Sequence, residues 1–191
     1  MTAEARPARW NGLIVSLHWT GAAIILALIA IGWAMIYGGL DAATTFDLYQ
    51  WHKSLGFVAL GLTAARLAAR FASSSPPAPV SPSWERRLAA LAQVSLYVLT
   101  VCAIASGWLV VSTSPLPVPT RFFDLFVIPN LAPADPSLFA EAVLAHKLSA
   151  WAIAFLVALH VAGALKHHLV NRDDVLRRMS PGWPKIGSAR R

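Results

Sequence analysis

A chain of 191 residues that is 57% hydrophobic, only 13% charged and has a mean hydropathy of +0.56 is too apolar for an ordinary soluble domain, and reads as an integral membrane protein. Its net charge of +7 comes from Lys and Arg that flank apolar runs and do not cover one soluble face, which argues for membrane orientation and against nucleic-acid binding. The lone Cys102 has no partner for an internal disulfide and is expected to be a packing residue.

A short polar lead with Arg6, Pro7 and Arg9 precedes an apolar run at 13–37. That run is longer than the core of a signal peptide and carries His18 near its start, so a retained first span is expected. Residues 38–47 read as a polar turn with Gly38, Gly39 and Asp41 as breakers, and the second span, 50–70, opens with His52. In the connector 71–87, Pro76, Pro77, Pro79 and Pro82 forbid a continuing helix, and SPSWE gives an N-cap signal before the third span, 88–111, which holds no histidine. The longest connector, 112–141, has six prolines from Pro115 to Pro136 and an apolar patch, RFFDLFVIPN, expected to lie in the interface as a short helix. The fourth span, 143–166, is followed by a basic tail. The expected architecture is all-α: one four-helix transmembrane bundle occupying 1–191 as a single domain.

Of the sixteen Lys and Arg, only Lys53, Arg121 and Lys147 fall on one side of this four-span arrangement. The positive-inside rule therefore puts both termini in the cytoplasm. Trp10, Trp19, Trp51, Trp84 and Trp108 fall near span ends, as anchoring aromatics do, while Trp33 and Trp151 sit deeper.

An ionisable residue inside a span is expensive, and a lone one is ordinarily a polar contact between helices. Here four histidines sort by depth. His146 and His160 are fourteen residues apart in the fourth span, about 21 Å along the axis and within roughly 40° of one face. His146 lies at the outer depth with His52, and His160 at the inner depth with His18. Two facing imidazoles are what axial ligation of a haem iron needs, so the pattern points to two b-type haems. Zinc or copper would draw on three or four clustered ligands including Cys, Asp or Glu. Gly21, Gly56 and Gly163 each lie about one turn from a histidine, where small residues would admit a flat ring.

At the outer end Lys53 and Lys147 each follow a candidate ligand, and with Arg121 they form a positive mouth for a small anion or an acidic partner protein. Alternatively, the lysines reach lipid phosphates. At the inner end Ser16, two residues before His18, and His167, seven after His160, are placed to hydrogen-bond a quinone carbonyl and pass it a proton; alternatively, His167 is a solvated interfacial residue.

The segments RWNGLIVSLHWTGA, WHKSLGFVALGLTAARLAAR and AHKLSAWAIAFLVALHVAGALKHHLVNRDDVLRRM, with their spacing, resemble the bacterial cytochrome b561 family of four-helix dihaem membrane proteins across nearly the whole chain. The resemblance implies that His18, His52, His146 and His160 are the haem ligands, and that His167 and Ser16 lie at the quinone. It further implies inner-membrane electron transfer, in some members from superoxide to ubiquinone. The leading expectation is a superoxide:ubiquinone oxidoreductase in which Lys53, Lys147 and Arg121 attract the anion. The alternative is a carrier that exchanges electrons between the quinone pool and a periplasmic redox protein. A histidine-lined ion transporter without haem is disfavoured, because no intramembrane carboxylate lies between the pairs to relay an ion.

Overall fold

The computed structural model describes residues 9–74, 76, 82–116 and 118–180. Arg6 and Pro7 of the lead, Pro77 and Pro79 of the second connector, Pro117 of the third, and Lys185, Arg190 and Arg191 of the tail lie outside the described residues. Four long helices are apolar enough to cross a membrane: α1 (Gly12–Tyr37), α2 (Ala42–Ala72), α3 (Ser83–Thr113) and α4 (Pro136–Lys166). The 31 residues of α2, α3 and α4 give each a length of about 46 Å, well beyond a hydrocarbon core of about 30 Å.

Three helices begin earlier than their apolar runs. α2 starts at Ala42 because the Asp41 side chain accepts from Thr44 N–H at 2.9 Å and from Thr44 Oγ1 at 2.7 Å, which shrinks the expected turn at 38–47 to its first few residues. α4 starts at Pro136, with Asp135 accepting from Ser137 and Leu138 N–H and proline at the first helical position. α3 starts at Ser83 with Pro82 at the cap position and no side-chain cap bond, so the serine of SPSWE does not cap it. Hydropathy marks the stretch that lipid can cover, whereas the helix ends where its backbone groups find other partners. Arg66 lies inside α2, as the span 50–70 already places it.

α1 packs against α2 and α3 against α4, and the two helical hairpins meet along a shorter seam between α2 and α3. Among the described residues buried apolar side chains are few: Ala59, Ala103 and Ala142, with Ile14, Val15 and Ile153. Cys102, expected in the packing, faces outward on α3.

The patch RFFDLFVIPN is not a helix. It forms a two-stranded antiparallel sheet, β1 (Thr120–Phe122) and β2 (Phe126–Ile128), in the register Thr120↔Ile128, Arg121↔Val127, Phe122↔Phe126. Pro119 and Pro129 bracket the segment and oppose a helix, and its aromatic and β-branched residues suit a pleated surface. The turn puts Phe123 (φ 47) and Asp124 (φ 58) in the left-handed region and is closed by Leu125 N–H donating to Phe122 O at 2.9 Å. Left-handed backbone costs a bulky residue about 1–2 kcal/mol. Buried Ser54 of α2 holds it in place, with its Oγ accepting from Phe123 N–H and donating to Arg121 O, both at 3.0 Å.

At the opposite end α4 runs into a π-helical turn, His167–Asn171, which Arg172 closes at φ 53. A short α5 (Val175–Met179) then returns to the lead, where Trp10 N–H donates to Arg178 O and Trp19 Nε1 donates to Met179 O at 2.6 Å. We refer to these as the hairpin end and the terminal end of the bundle.

Candidate functional site

α4 carries a histidine toward each end, and each faces a histidine of another helix. The ring centroids of His52 (α2) and His146 (α4) are 6.1 Å apart with an interplanar angle of 80°. Those of His18 (α1) and His160 (α4) are 6.1 Å apart at 71°. The partners are those that depth alone assigns. A metal–imidazole bond is about 2.0–2.1 Å, and the ring centre lies about 1.1 Å beyond its nitrogen, so two rings facing one ion stand about 6 Å apart.

The surroundings suit that reading. His18 Nδ1 and His52 Nδ1 are buried without a hydrogen-bond partner, so each ring has a nitrogen that the protein itself does not satisfy. His146 Nδ1 donates to Ala103 O at 2.8 Å, which fixes its tautomer and leaves a lone pair on Nε2. Buried Ser106 Oγ donates chiefly to Cys102 O at 2.6 Å, with Ala103 O at 3.1 Å from the same hydroxyl. Among the described residues no third His, Cys, Asp or Glu joins either pair. Two imidazole nitrogens suit the axial positions of a haem and fall short of a tetrahedral zinc set.

Two further glycines admit the histidine rings themselves. A Cβ built on Gly107 of α3 would come within 3.1 Å of His146 Cε1 and Nδ1, and one on Gly32 of α1 within 3.5 Å of His52 Cε1. At Gly21, Gly56 and Gly163 a Cβ would meet no protein atom within 4 Å, so no side chain fills the space beside them. α3, which holds no histidine, thus orients one through Ala103 O and Gly107. A backbone carbonyl leaves no trace in sequence, whereas a glycine inside a long helix is a weak signal that could have been read.

At the hairpin end the half-buried Lys53 donates from Nζ to Pro119 O at 3.2 Å, and Arg121 lies 3.5 Å from Asp124, the last two side chains being largely exposed. Arg121 and Asp124 line a cavity of about 140 Å³ with Gln50, Trp51, Ser54 and Phe123. Lys147 is exposed on α4. The three cations of the expected mouth thus stand on three elements: α2, the hairpin and α4.

At the terminal end His167 Nδ1 is bound to the Asp173 carboxylate at 2.5 Å, with Asn171 Nδ2 at 3.3 Å from the same nitrogen. Burial pushes the Asp173 carboxyl up, but the bonds from His167, Val175 N–H and Asn171 outweigh it and hold it below the usual carboxylate range. With Nδ1 so occupied, Nε2 of His167 is the nitrogen left to meet a ligand. Ser16 is exposed on α1, and no hydrogen bond joins it to His167. Asp173 is a residue that reading from the spans missed, because it reaches His167 only through the π-helical turn.

A family model described as prokaryotic cytochrome b561 matches residues 9–182. The chain is 32% identical over 184 residues to cytochrome b561 homolog 2 of Escherichia coli (strain K12), covering 94% of this chain and 95% of the relative. It is 26% identical over 180 residues to cytochrome b561 homolog 1 of the same organism, at 91% and 97% coverage. It is also 25% identical over 175 residues to the probable superoxide oxidase CybB of Yersinia pestis, at 91% and 96% coverage.

Proposed function

Because the chain belongs to the prokaryotic cytochrome b561 family of membrane electron-transfer proteins, we propose that it is a dihaem oxidoreductase that takes electrons from superoxide and delivers them to ubiquinone. The observation that carries this reading is the pair of bis-histidine arrangements on one helix, each with centroids 6.1 Å apart. The Yersinia relative named as a probable superoxide oxidase supports the donor. The positive-inside balance puts the terminal end in the cytoplasm and the hairpin end in the periplasm of the inner membrane.

His52 and His146 would hold one haem b, and His18 and His160 the other. Bound there, each haem b would supply a one-electron carrier at its end of the bundle. Lys53, Lys147 and Arg121 raise the local concentration of a small anion at the hairpin end. Two superoxide anions each give up one electron and leave as dioxygen, while one ubiquinone takes up two electrons and two protons. Nothing in that balance calls for a nucleophile or a general acid at the hairpin end. At the terminal end His167 Nε2 donates a proton to the quinone oxygen, and the Asp173 carboxylate bound to Nδ1 stabilises the imidazolium that reloads it. The Ser16 hydroxyl donates to the other quinone oxygen.

Stopped-flow mixing of the purified protein with superoxide and ubiquinone tests the donor. Haem reduction no faster than spontaneous dismutation would remove superoxide from the scheme. Lys53→Glu combined with Lys147→Glu is expected to slow superoxide-driven reduction about tenfold or more while leaving reduction by dithionite unchanged.

A second reading, the carrier that docks a periplasmic redox protein, is favoured by one observation. The hairpin presents Leu125, Phe126 and Val127, each more than half exposed, beside Arg121. Docking through that face predicts rates that fall steeply with salt, more steeply than for a small anion.

A further inference from the structure

Arg66 lies inside α2, six residues before its end at Ala72 and so about 9 Å in along the axis. His18 is six residues into α1, and His160 is six from the end of α4, which puts all three at one depth. The guanidinium stacks over the Tyr97 ring of α3 at 5.4 Å, and its charge lies close enough to both imidazoles to act on them electrostatically. Its side chain is half-buried. Arginine keeps its charge at any pH the protein meets, so a cation at this depth needs an anion.

The acids at this end are already committed. Glu85 pairs with Lys166 at 2.6 Å, Asp173 with His167, and Asp174 with Arg177 at 3.3 Å. Among the described residues none is left for Arg66. An arginine serving the lipid would extend along its own helix toward the nearer surface. Arg70, one turn closer to that surface, instead stacks on Trp10 of the lead at 4.9 Å. Arg66 turns inward, to a third helix and the histidine pair.

We propose that Arg66 is the binding residue for a carboxylate of the group held between His18 and His160. Haem b carries two propionate carboxylates on an otherwise apolar ring, and this site offers one unmatched guanidinium beside the two imidazoles. A carboxylate bound there closes the charge balance of the terminal end without a protein acid, and its charge-assisted bonds fix the rotation of the ring about the axis joining the imidazoles. The inference rests on the dihaem reading above.

The test uses the holoprotein in a phosphate-free detergent and in phosphatidylcholine vesicles, with haem release to apomyoglobin as the readout. Arg66→Leu is expected to release one of its two haems about tenfold faster or more in both settings, with the other haem unaffected. Arg66→Lys, which keeps the charge, is expected to recover most of the loss. The wild-type chain reconstituted with haem dimethyl ester, which lacks the carboxylates, is expected to release the same haem faster, and this arm needs no variant to fold. Combining the ester with Arg66→Leu then adds little beyond either change alone. Effects that multiply independently would overturn the proposal. So would a difference seen in vesicles but absent in detergent, which would assign Arg66 to a lipid phosphate. His160→Ala separates the two levels of inference. If it removes one haem while Arg66→Leu changes neither, only the role of Arg66 falls; if it leaves both haems in place, the pairing of the histidines falls.

Discussion

Gly107 is where a single methyl group tests whether α3 positions His146. The Cβ of an alanine there would sit 3.1 Å from His146 Cε1 and Nδ1, a few tenths of an ångström inside ordinary contact. The ring cannot simply swing away, because its Nδ1 is held on Ala103 O at 2.8 Å, so either that bond lengthens or α3 and α4 separate. Overpacking of this kind costs about 1–3 kcal/mol, set against about 0.5–1 kcal/mol gained by replacing glycine with alanine in a helix. The middle of those ranges is a net loss of about 1 kcal/mol, which lowers the melting temperature of a chain this size by about 2–4 °C. Melting followed by Soret absorbance, with haem content measured on the same samples, is the assay. Gly107→Ala is expected to melt lower and to lose the haem at His52 and His146 first, and Gly107→Val to do so more severely. Gly61→Ala is the control: Gly61 is exposed on α2 and nothing lies within 4 Å of its Cβ, so it is expected to be neutral or slightly stabilising. If Gly107→Ala melts as high as Gly61→Ala with both haems retained, then α3 does not hold His146 by close approach.

Ser54→Ala leaves Phe123 N–H and Arg121 O without their partner, at a cost of about 1–3 kcal/mol concentrated in the hairpin. Hydrogen exchange at residues 120–128 should rise while exchange in α3 stays slow, and an unchanged hairpin would show that its turn holds itself. Asp173→Asn probes the His167 bond through pH. Because the folded carboxyl is held below its ordinary value of 3.8, the stability it contributes is present above that value and is lost as pH falls through the lower, folded value. The variant is therefore expected to melt below the wild type at neutral pH, with the gap closing only at pH below 3.8; a gap that persists there would be a packing effect. Quinone reduction by the same variant should slow at neutral pH, with binding of the quinone less affected than turnover.

The four histidines were legible because an apolar span makes any ionisable residue conspicuous, and a rise of 1.5 Å per residue turns spacing into depth. His18 and His160, like His52 and His146, share a depth in the sequence and face each other in space. The hairpin was not legible. RFFDLFVIPN carries no alternation that separates strand from helix, and its conformation depends on Ser54, some seventy residues earlier in the chain. Helix starts were misjudged for a related reason: Asp41 and Asp135 lie outside the apolar runs, so hydropathy alone could not find them.

By itself, the sequence determined the class of the protein, its four crossings and the two depths of its histidines, since these follow from hydropathy and helical rise along a single strand of chain. The tertiary structure decided what surrounds each histidine. The Ala103 carbonyl, the Gly107 contact, the Asp173 bond to His167 and the stacking of Arg66 on Tyr97 all join residues from different helices or across a π-helical turn. Such contacts depend on the rotation of one helix against the next, and a bundle whose outer face is lipid leaves that rotation weakly marked in the pattern of polar and apolar residues.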